Sequence, residues 1–399
     1  MTQVAQLLAG PEHFHVEEVL AYLPCGAGEH LYAQIEKQDL TTEMVASELA
    51  RLCDRPRAAV GFAGRKDRRA ITRQWFSVQG AREDQLASLP ERTGGRARVL
   101  ELGRHRNKLR LGHLHGNRFR LVLEAPDPAK AMSHLERALG SMAEEGIPNR
   151  FGTQRFGRNG STLRIARALA LGDPAEAVRW LIDPLGEWQP GSPLPGGQRR
   201  GVEGRVRAVL ERSPSNAKGA LRAAGRDFHQ LAASAGQSAI FNAVLDARAA
   251  NGLLHRLRAG DVVRKRGGGP FVCAPEDVED VNRRAAPGCL ELVATGPLPG
   301  TSRLVPSAEV LDEEREWSRA TDVDWSWFER GGRLESPGER RPLLVLFLEP
   351  GRVTQLGDAR LELCVGLPAG SYATELLGEL GVAVPDERFA PQTSAMLGA

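Results

Sequence analysis

The chain changes its secondary-structure character twice, and this double switch limits the folds open to it. Leu31, Ala33 and Ile35 alternate with Tyr32, Gln34 and Glu36, the period of two that marks a strand with one buried face. Phe119, Leu121 and Leu123 alternate with Arg118, Arg120 and Val122 in the same way, and shorter strand signals lie at 14–16, 58–62 and 74–78. Two helices interrupt this first part. One opens on Thr41 as N-cap and carries Val45, Leu49 and Leu52 on one face; the other, over about 128–145, is striped by Met132, Leu135, Leu139 and Met142. From about residue 146 to 340 helical spacing dominates, as in Ile240, Phe241, Val244 and Leu245 within a helix expected over 238–257. Strand character then returns in the apolar run 343–348 and at Leu361, Leu363 and Val365, before a last helix near Ser371. The expected fold is therefore α+β with a mixed or antiparallel sheet. It is built from 1–145 and 342–399 as one discontinuous domain, and 146–341 forms a mostly helical α+β insertion. Two segments read as loops or linkers, 189–204 and 264–270.

Bulk composition adds little. The 399 residues suffice for two or three domains, and 41% hydrophobic with 26% charged residues is ordinary for a globular protein. With 53 Lys and Arg against 50 Asp and Glu, the net charge of +3 does not announce a nucleic-acid partner. Cys25, Cys53, Cys273, Cys289 and Cys364 show no metal-ligand or redox spacing. No signal peptide is legible, and no apolar run approaches the roughly 20 residues of a membrane helix. A reduced, cytoplasmic protein with inert thiols is expected.

The chemistry concentrates in Ala63-Gly64-Arg65-Lys66-Asp67-Arg68-Arg69-Ala70, followed by Thr72 and Gln74. A strand runs into a glycine and then into one carboxylate among four cations. Nearby positive charge favours an ionised carboxylate, and the cations can hold phosphates while the carboxylate reaches a base. A solvated turn with self-compensating charges has the same composition.

This stretch resembles the signature of the TruD family of tRNA pseudouridine synthases, Ala-Gly-x-Lys-Asp-x-x-Ala-x-Thr-x-Gln, at every fixed position. Further blocks agree in order: Glu12, Phe14, Val16 and Glu17 with 28–31; Lys108-Leu109-Arg110, Gly112 and 116–119; 148–152 with 154–157; and 368–374. The resemblance implies a pseudouridine-synthase-like catalytic domain with an inserted TRUD domain. It also implies isomerisation of a uridine in the D-arm region of tRNA (family position 13), breaking the bond to N1 and remaking it to C5. Such an enzyme needs no metal, organic cofactor or obligate protein partner.

By the same resemblance Asp67 is the catalytic nucleophile, toward the uracil ring or the ribose C1′. Phe14, Asn117 and Tyr372 match positions at the substrate. An aromatic stacks on an everted base, and an amide can read a uracil edge with one donor and one acceptor. The family more often has Phe at the position of Tyr372, which leaves a role in proton transfer open. Lys66 would bind phosphate or tune Asp67. Arg155 is counted among the substrate contacts.

Two blocks without acids flank the motifs. One is 104–123, with Arg104, Arg106, Lys108, Arg110, Arg118 and Arg120; the other is 147–167, with Arg150, Arg155, Arg158, Arg164 and Arg167. They fit a phosphate-tracking surface. His113 and His115 lack a third ligand at metal spacing, and Gly267–Gly269 lacks the Gly-Lys-Ser/Thr of a phosphate loop. A non-catalytic RNA-binding protein on the same scaffold is the second reading. A methyltransferase is disfavoured, because no glycine-rich cofactor loop follows the early strands.

Overall fold

The computed structural model describes residues 3–189, 192–197 and 201–385. In chain order the first part contains β1 (Ala5–Leu7), β2 (Phe14–Leu20), β3 (His30–Lys37), α1 (Thr42–Leu52), β4 (Val60–Phe62), β5 (Ile71–Gln79), α2 (Leu89–Arg92), β6 (Ala97–His105), β7 (Leu114–Glu124) and α3 (Pro128–Glu145). The middle contains β8 (Ile147–Pro148), α4 (Ser161–Leu171), α5 (Pro174–Ile182), α6 (Gly201–Arg212), α7 (Ala217–Ala224) and α8 (Arg226–Ala250). It continues with β9 (Val262–Lys265), β10 (Pro270–Val272), α9 (Val278–Ala285), β11 (Leu292–Leu298), α10 (Ala308–Ser318), β12 (Glu339–Pro342) and β13 (Leu344–Val345). The chain then returns with β14 (Glu349–Gln355), β15 (Arg360–Pro368), α11 (Ala373–Glu379) and β16 (Val382–Ala383).

Two compact units result, Met1–Ala143 with Leu346–Ala399, and Glu144–Val345. The discontinuous unit is organised by a ten-stranded mixed sheet whose main path runs β14-β15-β7-β2-β5-β3-β6. Its β2–β5 and β1–β16 pairs are parallel and the others antiparallel. β1 also pairs with β7, and β4 with β5. The Thr41 hydroxyl accepts from the Met44 amide at 3.1 Å and starts α1, as its N-cap position demands. Val45 and Leu49 then bury against Leu31, Ala33, Ile35, Phe62 and Phe76. Along β2, Phe14, Val16, Glu18 and Leu20 are buried and the residues between them half-buried. Glu18 therefore occupies an inward position that the pleat reserves for apolar side chains.

The other face of the same strands carries charge. Arg98 on β6 pairs with Glu36 on β3 (2.7 Å), which pairs with Arg73 on β5 (3.0 Å). Arg73 approaches Glu17 on β2 (3.8 Å), which pairs with Arg118 on β7 (3.3 Å), and Arg118 reaches Glu349 on β14 (2.6 Å). Alternating charges thus cross the sheet perpendicular to its strands.

The inserted unit packs its helices around Ile165, Leu169, Val178, Val206, Leu210, Phe228, Ile240 and Phe328. It also holds a four-stranded sheet ordered β10-β9-β11-β12. Buried ion pairs, Arg248–Asp261 (2.8 Å) and Arg340–Glu314 (2.6 Å), join α8 to the start of β9 and β12 to α10. Two elements differ from expectation. The run 343–348 forms a strand only at Leu344–Val345, which pairs with Ile147–Pro148 rather than joining the large sheet. A run without alternation fixes burial but not partners. The helix expected over 238–257 runs instead over Arg226–Ala250: its first turns bury alanines (Ala232, Ala233, Ala235) that leave a weak stripe, and it is capped at Asn251.

Candidate active site

Residues 63–70 connect β4 to β5, and three neighbouring side chains clamp this loop. Gln74 is fully buried on β5, and its amide nitrogen donates to the Gly64 carbonyl. The Thr42 hydroxyl donates to Gln74 Oε1 at 3.0 Å and accepts from the Lys66 amide at 2.9 Å. Lys37, at the end of β3, donates from Nζ to the Leu40 carbonyl (2.7 Å) and the Asp67 carbonyl (3.2 Å). A Cβ at residue 64 would stand 3.2 Å from Lys66 Nζ and 3.5 Å from Glu18 Oε1, so glycine leaves the space that this pair fills.

The clamp sends consecutive side chains in opposite directions. Lys66 turns inward: its side chain is 5% exposed, and Nζ lies 3.0 Å from Glu18 Oε1 and 2.7 Å from Asn117 Oδ1. Asp67 turns outward and is exposed, with Oδ1 accepting the Arg69 amide at 3.0 Å. Arg65 and Arg68 are also exposed, and Arg68 Nε donates to the Asp39 carbonyl at 3.0 Å. The inward Lys66 ammonium is held between its two partners, Glu18 and Asn117.

Burial pushes the Glu18 carboxyl up from its ordinary range, against the pull of the Lys66 ammonium and the Trp75 amide. That amide donates to Glu18 Oε2 at 3.1 Å. Lys37 is 1% exposed, and burial lowers its ammonium to about 8, with Asp67 opposing the shift and Lys66 adding to it.

Asn117 reaches this cluster because Glu18, Asn117 and Leu367 are register partners across β2, β7 and β15. An ammonium only donates, so the amide atom facing Lys66 must be the oxygen. This bond takes one of the two lone pairs of the amide oxygen and leaves the NH2 group on the other side of the amide. Gly116 permits the close approach of β7 to β15, since a Cβ there would meet the Leu367 carbonyl oxygen at 2.1 Å. The Ala369 amide then bonds the His115 carbonyl at 2.9 Å, which fixes the turn that delivers Tyr372 to the N-cap of α11. Tyr372 is half-buried.

Phe14 is 5% exposed and meets Phe119 edge-on, with centroids 6.1 Å apart. It lies four residues, about 13 Å, from Glu18 along β2. Arg155 belongs to the inserted unit, where its guanidinium donates to Ser234 Oγ (2.6 Å) and Ser238 Oγ (3.3 Å) and lies over the Phe151 ring. Lys66 and Asn117 are in direct contact, with Asp67 adjacent in the chain, and Tyr372 follows the turn bonded to the strand of Asn117. His113 Nδ1 is hydrogen-bonded to Tyr22 Oη at 2.6 Å.

Glu18, Lys37 and Thr42 were missed in the sequence. An acid at an inward position of an alternating strand was the available signal for Glu18; Lys37 and Thr42 have none in a single sequence.

The chain is similar to known proteins along nearly its whole length. The family model for tRNA pseudouridine synthase D (TruD) matches residues 4–190 and 198–380. The chain belongs to the TruD family. A tRNA pseudouridine synthase D of Geobacter metallireducens is 36% identical over 386 residues, covering 92% of this chain and 93% of the relative. One from Anaeromyxobacter sp. is also 36% identical, over 378 residues, with 94% and 91% covered. In structure the chain is similar to the crystal structure of a protein from Methanosarcina mazei assigned to tRNA pseudouridine synthase D. That match has a TM-score of 0.70 and 25% identity, over 95% of this chain and 94% of the other. As a TruD-type synthase the protein is an isomerase that converts uridine to pseudouridine. Among the described residues no helix is long and apolar enough to cross a membrane.

Proposed function

We propose that the protein isomerises a uridine in the D-arm region of tRNA, with the Asp67 carboxylate as nucleophile. The observation that carries this reading is the opposed pair in the loop. Lys66 is anchored inside by Glu18 and Asn117, so its neighbour Asp67 is presented outward on a pinned backbone. A nucleophile held in one orientation lowers the entropic part of the barrier. The everted uridine sits against Asp67, and the free NH2 of Asn117 donates to a uracil carbonyl. Tyr372 supplies an aromatic face for the base, and Phe14 supports the site from the sheet by packing. In this reading residues 1–145 and 342–399 carry the chemistry, while the inserted residues 146–341, Arg155 among them, contribute to tRNA binding. The reaction breaks N1–C1′, turns the retained base and joins C5 to C1′; the proton lost from C5 is balanced by one gained at N1. The enzyme works in the cytoplasm without an obligate protein partner.

The test is to incubate an unmodified tRNA transcript with the purified chain and to map pseudouridine with a base-selective chemical label. Product at a single D-arm uridine with the native protein, and none with Asp67→Ala, is the expected result. Product from Asp67→Ala, or a modified site outside the D-arm region, overturns the proposal. Tight RNA binding without product would favour a binding protein on this scaffold.

A further inference from the structure

Lys37 is a fully buried ammonium that the proposed chemistry does not use. Its Nζ donates to two carbonyls, of Leu40 and Asp67, and among the described residues it has no carboxylate within ion-pair distance. Burying an uncompensated ammonium is costly, and two carbonyl dipoles return only part of the lost hydration. A methionine or leucine fills the same volume without that cost. Position 37 also has ordinary apolar surroundings on offer, since Ile35 lies two residues earlier on the same face of β3 and faces the α1 core. The charge is placed beneath the backbone of Asp67, the one carboxylate of the loop, whose side chain is exposed.

We propose that Lys37 is a positioning residue for Asp67: its ammonium holds the residue-67 carbonyl and so fixes the backbone from which the carboxylate is presented for attack. The inference rests on the reading of Asp67 as nucleophile. Two properties make Lys37 suited to this. It lies on the last residue of a central strand, so the anchor is rigid. It acts from the protein side of the loop, so it orients Asp67 without occupying the space of the base. Thr42 and Gln74 fix the preceding residues by neutral bonds; Lys37 adds a buried positive charge on the residue-67 carbonyl itself. The charged groups felt by Lys37 are Asp67, which favours its ammonium, and Lys66, which opposes it. Because burial lowers the ammonium to about 8, the device is charged at neutral pH and switches off in mild alkali.

The test uses the full chain and single-turnover pseudouridine formation on a tRNA transcript from pH 6.5 to 9.5, with tRNA affinity measured in parallel. Three proteins are compared: native, Lys37→Met and Lys37→Arg. The native rate is expected to fall as pH rises through about 8. Lys37→Arg, whose guanidinium stays charged, is expected to lose that alkaline limb while keeping measurable activity. Lys37→Met is expected to lose about 100-fold in the chemical step at pH 7.5 with tRNA affinity unchanged, the scale of a misplaced reacting group. Titration of the substrate uracil is common to all three, so the difference between native and Lys37→Arg isolates residue 37.

Should Lys37→Met fail to fold, the native and Lys37→Arg profiles decide alone. Coincident profiles overturn the proposal, as does a Lys37→Met protein with native rates. If instead Asp67→Ala retains activity, it is the assignment of the nucleophile that fails, a result that none of the Lys37 outcomes produces.

Discussion

Lys66 Nζ lies 2.7 Å from Asn117 Oδ1, and this bond joins the motif loop to the centre of the sheet. It forms because β7 places Asn117 opposite Glu18, whose carboxylate takes the other side of the same ammonium. The three polar groups cluster, Glu18 Oε1 meeting Lys66 Nζ as an ion pair, in a place that the strand pleat would otherwise fill with apolar side chains. The consequence is directional: the oxygen of Asn117 is fixed inward and its nitrogen outward.

Removing Glu18 should therefore cost both stability and rate. Glu18→Ala leaves the Lys66 ammonium buried without its acid, which destabilises by about 3–5 kcal/mol. Glu18→Gln keeps the shape and loses the charge. It should unfold at lower denaturant than the native protein and lose about 10- to 100-fold in the chemical step, with tRNA affinity little changed. Chemical denaturation and single-turnover kinetics measure these effects. A Glu18→Gln protein with native rate and midpoint would show that the pair positions nothing.

Much of this site was legible in the sequence, and the rest was hidden for a physical reason. The signature 63–74 points to its own loop, and Gly64, Lys66 and Gln74 prove to be the residues that fold it. Asn117 sits at that loop's innermost residue. What a single chain does not display is cross-strand register, which alone makes partners of Glu18, Asn117 and Leu367. Register also undoes part of the charge argument. The block 104–123 contains no acid in sequence, yet Arg118 and Arg120 are paired with Glu17, Glu349 and Glu362 from other strands. The helical stripe over 128–145 was plain because helix contacts are local; the pairing of Leu344–Val345 with 147–148 was not.

Gly116→Ala should damage the site without touching a polar group. The new methyl would stand 2.1 Å from the Leu367 carbonyl oxygen, so β7 and β15 must separate. The bond from the Ala369 amide to the His115 carbonyl is next to this contact, and the turn before Tyr372 hangs on it. We expect a loss of about 1–3 kcal/mol in stability, as for overpacking a close contact, and a lower rate of pseudouridine formation. Thermal melting and single-turnover kinetics check both. Unchanged melting would mean that the strands part without cost.

Lys37 also makes a prediction about stability and pH. Its ammonium is lowered to about 8 in the fold, against about 10.4 in an unfolded chain. The fold therefore binds this proton more weakly than the unfolded state does. The resulting penalty is full below about 8, is relieved as pH rises, and is gone above the unfolded value. Between pH 7 and 10 the native protein should gain about 2 kcal/mol relative to Lys37→Met. Comparing the two unfolding midpoints across this range removes the contributions of all other groups. A constant difference would mean that Lys37 titrates as it does in water.

The arginines of the two basic blocks should separate by their partners. Arg118 is flanked by Glu17 and Glu349, and the ladder it belongs to compensates its charge within the sheet. Arg158 and Arg167 are exposed, and among the described residues neither has an acidic partner. A phosphate contact made by a free cation releases a counterion and adds about one unit to the slope of log affinity against log salt. Arg167→Gln and Arg158→Gln should thus weaken tRNA binding and reduce that slope by up to about one each. Arg118→Gln should leave the slope unchanged and shift stability by less than about 1 kcal/mol, since exposed ion pairs contribute little. Binding titrations at four or five salt concentrations distinguish the cases. A slope reduced by Arg118→Gln and kept by Arg167→Gln would place the phosphate track on the charged face of the sheet instead.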